Sequence, residues 1–197
     1  MDRLAATLAA VDAANADDPN TIVVDGVARP KELAHAELMT EWVRRLDPDC
    51  SDEQLIAARA HHLRRWALPR DAYPEGRSGY LRWRAELKKR HADEVGALMR
   101  EAGYGDESVA RVQAIVRKQG LSSDPAVQVH EDALCLVFLR TQFDDLAERL
   151  GDDKTIEVLR KTAAKMSPRA LELAGELPMR DEDRALLARA LGGGDGA

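Results

Sequence analysis

A chain of 197 residues with 29 Lys+Arg against 35 Asp+Glu carries a formal charge of −6, and that length suits one domain with a sizeable core. Apolar residues at 45% and charged residues at 32% exclude a disordered or fibrous chain, and the longest apolar run, 133–139, is far below the roughly 20 residues of a membrane span. The N-terminus M-D-R-L-A-A-T-L lacks a secretory apolar core, and Cys50 and Cys135 form neither a disulfide framework nor a C-x-x-C motif, so the expected compartment is the cytoplasm.

Ala, Leu, Glu and Arg dominate while β-branched residues are sparse, which predicts helices nearly throughout. A first helix is expected over 2–15. The stretch T-I-V-V-D-G-V-A-R-P (21–30) breaks the helical pattern, and its Asp25-Gly26 step signals an extended arm or tiny hairpin. A second helix over 31–46 stops before Asp47-Pro48. A third starts at Ser51, whose S-x-x-Q with Gln54 is a capping box, and is expected to run to Trp66. Pro69, Pro74 and Gly76, with Gly79 just beyond, place an irregular loop at 67–78. A fourth helix follows over 79–102 and a fifth over 107–119, with Asp106 as N-cap. The sixth is expected to run unbroken from Asp124-Pro125 to Leu150. Helices over 153–165, 168–175 and 181–191 complete the series, and the tail G-G-G-D-G-A is expected to fray.

The net charge hides an asymmetry. Residues 59–90 hold ten basic side chains and three acids, +7, which leaves −13 on the remainder. Such a distribution suits a local, small anionic ligand and disfavours a long nucleic acid or a membrane surface. Within this segment Arg64, Arg65, Arg70, Arg77 and Arg84 interleave with Trp66, Tyr73, Tyr80 and Trp83. Guanidinium forks match phosphate oxygens and aromatic faces match a base or sugar, so these nine residues form a candidate pocket for a nucleotide-like anion. Gly76 and Gly79 would let the loop approach a ligand closely. A stacked Arg–aromatic packing layer is the alternative.

Helical facing, at 100° per residue, places several ionisable groups inward. His35 lies within the stripe of Leu38, Met39, Trp42 and Leu46. In the third helix His62 falls nearer the apolar face than His61, which is expected at the rim or in solvent. His91 sits within the stripe of Tyr80, Trp83, Leu87 and Leu98, where it serves either as an aromatic cap or as an anion contact. Glu131 and Asp132 precede the wholly apolar L-C-L-V-F-L (134–139) and have no solvent side, so each needs an Arg, a metal or several donors.

Taken in chain order, His35, His61-His62 and Glu131-Asp132 resemble the HD metal-dependent phosphohydrolase superfamily, which sets a His, a His-Asp pair and a later Asp around a divalent metal. The likeness covers 31–150, with Asp132-Ala133-Leu134 in place of the final Asp-x-Leu and Glu131 as an alternative one residue earlier. The chain departs from it at the pair, where His-His replaces His-Asp; that set suits zinc, iron or manganese better than magnesium. A longer segment, A-R-A-H-H-L-R-R-W-A-L-P-R-D-A-Y-P-E-G-R-S-G-Y-L-R-W-R-A-E-L-K-K-R-H-A (58–92) followed by H-E-D-A-L-C-L-V-F-L (130–139), resembles the domain-of-unknown-function 4202 family. These resemblances imply an all-α, HD-like helical domain over 1–166 with a C-terminal helical extension over 167–197. The HD likeness further implies a divalent metal held by His35, His61, His62 and Asp132 or Glu131. His91 would then be the proton donor in hydrolysis of a small phosphorylated or nucleotide-like substrate, and Glu131 a further catalytic candidate. A non-catalytic anion sensor and an iron-dependent oxygenase are the alternatives.

Overall fold

The computed structural model describes residues 2–192. It is all-α apart from one small hairpin. The chain divides into two compact units, Met1–His130 and Glu131–Ala197.

In the first unit α1 (Arg3–Ala16) leads into the antiparallel hairpin β1 (Thr21–Val24) and β2 (Val27–Pro30), paired Val24 to Val27 around the Asp25-Gly26 turn. Then come α2 (Lys31–Leu46), α3 (Asp52–Arg59), α4 (Gly76–Glu101) and α5 (Asp106–Val116). α6 (Pro125–Thr141) carries the chain across the boundary between the units. α3 packs against α1, α2 and α5, and α4 against α5. Val11, Ile56, Leu63, Val95, Met99, Val112, Ile115 and Val127 are buried in one apolar core. That core holds α1, α3, α4, α5 and the start of α6 together, and α2 packs on α1 and α3.

Several helix boundaries differ from the sequence expectation; α4 begins at Gly76 rather than at 79, and α5 ends at Val116 rather than at 119. α3 begins with the capping box, Ser51 Oγ accepting from Gln54 N–H and Gln54 Oε1 from Ser51 N–H. It ends at Arg59, however, seven residues before Trp66. The Arg64 N–H, which a continuing helix would give to the Ala60 carbonyl, donates instead to Asn15 Oδ1 at 3.0 Å, and Asn15 is fully buried. Arg64 takes a left-handed conformation (φ 49°) and residues 60–64 become a string of turns. α5 is capped by Gly105, and Asp106 is its first residue. The expected 124–150 helix is broken at Gln142, where φ is −135°, and continues as α7 (Phe143–Leu150). No glycine or proline announces that break; it seats Phe143 at 1% exposure.

The second unit continues α7 with α8 (Asp152–Ala163), α9 (Pro168–Gly175) and α10 (Asp181–Ala190). α7, α8 and α10 pack on one another. Residues 193–197, most of the glycine-rich tail, lie outside the described residues. Among the described residues no helix is long and apolar enough to cross a membrane.

Candidate functional site

The chain has five histidines, all within the first unit. Glu32 lies in the first turn of α2, where its backbone N–H is held by Asp18 Oδ2 at 2.9 Å. His35 follows one turn later on the same face, its Nδ1 3.4 Å from Glu32 Oε2. The turn after α3 brings His62 Nδ1 to 3.1 Å from the same oxygen. His62 Nε2 lies 2.9 Å from Arg65 Nη1. A guanidinium only donates, so Nε2 accepts, and the proton of neutral His62 sits on Nδ1 and is donated to Glu32.

His61 occupies the other side of that turn. Its Nδ1 is 3.1 Å from His130 Nε2 at the end of the first unit, and its ring lies 4.0 Å from that of His62 between centroids. His61 is the more buried of the pair and His62 the less, the reverse of the helical-facing expectation. The reason is the early end of α3: beyond Arg59 the residues no longer advance by 100°. The ring of His91, from α4, lies 6.0 Å from that of His62. His91 Nδ1 is 2.8 Å from the Leu63 carbonyl oxygen. It must donate there, so neutral His91 carries a bare lone pair on Nε2. Among the described residues that buried atom has no hydrogen-bond partner, nor have His61 Nε2 and His130 Nδ1.

Burial governs the titration of this cluster. It pushes His91 and His130 down to about 3, helped by neighbouring positive groups, and His61 well below the ordinary range. It takes His62 down to about 4 in spite of the adjacent Glu32 carboxylate. Burial by itself would raise Glu32; the attraction and hydrogen bonds of His62 and His35 outweigh it and hold the carboxylate ionised below its usual range.

Glu32, His35 and His62 each offer a donor atom, all within 4.8 Å of one another. Donors on a tetrahedral ion with bonds near 2.0–2.1 Å stand roughly 3.3 Å apart, and the separations from Glu32 Oε2 are 3.1 and 3.4 Å. One carboxylate with two imidazoles is a donor set for zinc, iron or manganese.

The arginines of the basic segment separate into kinds. Arg65 is largely buried, with its guanidinium 5.1 Å from the centroid of Trp83. Trp83 is locked by its indole N–H to the Leu68 carbonyl at 2.9 Å. Arg70 is a loop brace, donating to the carbonyls of Tyr73 (2.9 Å), Pro74 (3.0 Å) and Gly76 (3.5 Å). Arg64, Arg77 and Arg84 are exposed, Arg84 donating to the Tyr80 hydroxyl at 3.0 Å; Trp66 and Tyr73 are half-buried. Gly76 has φ +81°, a turn conformation. Gly79 approaches the protein's own backbone rather than open space: a Cβ there would stand 1.8 Å from the Pro74 oxygen. A hollow of about 770 Å³ lies beside this loop, lined by Pro69, Arg70, Asp71, Tyr73, Glu75 and Gly76. Its two carboxylates and its occupied arginine suit an anion poorly.

The family described as Domain of unknown function (DUF4202) matches residues 5–187. The chain belongs to that family. The matched span of DUF4202 takes in Glu32, Arg65 and all five histidines. No curated protein and no solved structure matches the chain.

Of the residues singled out in the sequence, His35 and His62 come together around one oxygen, His61 pairs with His130, and His91 stands beside His62. Glu131 and Asp132 belong to the second unit. There Glu131 Oε1 lies 3.9 Å from Lys165 Nζ, and Asp132 Oδ1 accepts from the Ser167 N–H at 2.9 Å. Two residues of the DUF4202 chain went unread. Glu32 was legible as Glu-x-x-His, the spacing that stacks two ligands on one helical face. His130 was legible as the neighbour of the Glu131-Asp132 pair.

Proposed function

We propose that this protein is a metal-dependent hydrolase of a small phosphorylated or nucleotide-like anion, with the ion held by Glu32, His35 and His62. One observation carries the reading: a carboxylate and two imidazoles converge within 4.8 Å in a protein interior, with the Arg65 guanidinium on the same histidine. When bound, the ion would supply Lewis acidity, polarising a phosphoryl oxygen and acidifying water. Glu32 stays ionised to hold it. Arg65 and Arg84 neutralise phosphoryl oxygens, and the faces of Trp83 and Tyr80 receive a flat substituent. The bare Nε2 of His91 accepts a hydrogen bond from the attacking water and orients it; the water proton passes to solvent as the new P–O bond forms, the ester P–O bond breaks, and the leaving oxygen is protonated from solvent. His91 thus acts as acceptor rather than as the proton donor expected from sequence, because its one proton is committed to Leu63.

The test is the metal content of untagged protein, followed by phosphate release from nucleotides and phosphate esters. About one ion per chain is expected, lost in Glu32→Gln and His62→Ala together with turnover. Failure of the wild-type protein to take up zinc, manganese or iron on reconstitution overturns the reading. An anion sensor, the reading that a His-His pair in place of His-Asp favours, would instead show stabilisation by phosphate with neither metal nor turnover.

A further inference from the structure

Arg65 and a metal ion cannot both keep His62 as it stands. Arg65 donates from Nη1 to His62 Nε2 at 2.9 Å, and the opposite nitrogen, Nδ1, faces Glu32 at 3.1 Å. An ion entering between Glu32, His35 and His62 takes one of the two ring nitrogens. If it takes Nδ1, the proton there is displaced and the neutral ring carries its proton on Nε2, which then confronts the Arg65 N–H donor to donor. If it takes Nε2, it occupies the lone pair that Arg65 uses. Either route ends the Arg65–His62 hydrogen bond.

The released guanidinium keeps its footing. Its Cζ lies over the Trp83 ring, 5.1 Å from the centroid, and Trp83 is itself fixed to Leu68. Among the described residues no carboxylate lies within ion-pair distance of Arg65; burial disfavours its charge, the nearby Glu32 carboxylate partly offsets that and Arg84 adds a like charge, so an ion that takes Glu32 leaves Arg65 short of negative charge. A largely buried cation that has lost its acceptor, beside a second arginine, calls for an anion with several oxygens.

Building on the metal-site reading above, we propose that Arg65 is a metal-released clamp for a phosphate group: held on His62 in the metal-free protein, and freed to bind the anion when the ion takes Glu32, His35 and His62. Metal and phosphate then bind with positive coupling, and metal binds first. By linkage, phosphate raises the affinity for metal by the factor by which metal raises the affinity for phosphate.

The experiment uses the full chain, zinc and inorganic phosphate. Zinc affinity is measured by competition with a chromophoric chelator, with and without phosphate, in the wild type, Arg65→Ala and Arg84→Gln. In the wild type phosphate tightens zinc binding about tenfold, a typical size for coupled sites. In Arg65→Ala zinc alone binds about fivefold or more tighter, because no hydrogen bond has to be broken, and most of the coupling is lost. Arg84→Gln removes a positive charge from the same neighbourhood without touching His62 and gives the smaller gain. Nitrogen-15 spectra of the wild-type imidazoles give a readout that needs no variant: His62 Nε2 moves from a hydrogen-bonded acceptor shift to a protonated or metal-bound one when zinc is added. Zinc uptake with the same affinity and coupling in Arg65→Ala, or a His62 Nε2 shift unmoved by zinc, sinks the clamp and leaves the metal site standing. No zinc uptake by the wild type sinks both.

Discussion

Two buried carboxylates, one in each unit, show how differently the same group can be used. Asp183, near the start of α10, is 1% exposed, and Glu32, near the start of α2, is 5% exposed. Asp183 is closed by Arg180, which donates from Nε at 2.6 Å and Nη2 at 3.4 Å and also reaches Glu148 at 3.0 Å. An arginine keeps its proton under all ordinary conditions, so that pair is a permanent brace. Glu32 is closed by two imidazoles, whose nitrogens can exchange a proton for a metal. Burial is common to both; the exchangeable chemistry of the partner separates a site from a brace.

The sharpest way to break this contrast is to remove each carboxylate in turn. Glu32→Gln is expected to weaken zinc binding by at least about 100-fold, while Asp183→Ala leaves zinc uptake unchanged; equal effects in the chelator assay would erase the distinction.

Acid is the next largest perturbation, acting on one side of the comparison. The folded values of His62 (about 4), His91 and His130 (about 3) lie below the ordinary 6.5. Between those limits the unfolded chain binds more protons, so stability rises with pH, is complete above about pH 6.5, and is lost as pH falls. Glu32, also lowered, adds loss in the same direction at the acid end. In the metal-free protein each buried neutral imidazole contributes a slope approaching about 1.4 kcal/mol per pH unit below pH 6. Thermal unfolding from about pH 7.5 to 4.5 should therefore show a falling midpoint, and His130→Asn should flatten the fall.

A smaller effect separates the metal cluster from the neighbouring loop. Gly79→Ala forces a Cβ against the Pro74 oxygen and should cost about 1–3 kcal/mol, with zinc affinity retained. Smallest is Asp183→Ala, which should lower the unfolding midpoint by a few degrees, because its partner Arg180 keeps Glu148 and water.

Much of the scaffold was legible. The 31–46 helix, the turn at Asp25-Gly26 and the Ser51 capping box all depend on hydrogen bonds within a few residues, and each lies where those rules put it. The inward positions of His35 and His91 followed from regular helices that persist through them. His61 and His62 were read on a helix that had already ended, so their faces were exchanged. The basic segment was legible as a cluster, but not its division into Arg70, which braces its own loop, and Arg65, which holds a histidine.

The residues alone settle that this chain is mostly helical, that it has one concentrated basic segment, and that His35 and His91 turn inward, because helical hydrogen bonding and side-chain periodicity are local. Tertiary packing settles the rest. Asn15 takes the Arg64 N–H in the turns that follow α3 from 49 positions away, Glu32 meets His62 across 30, and His61 meets His130 across 69. No periodicity spans such separations; those partners are chosen by the core that α1, α2, α3, α4 and α5 build together, and with them the chemistry that the histidines can perform.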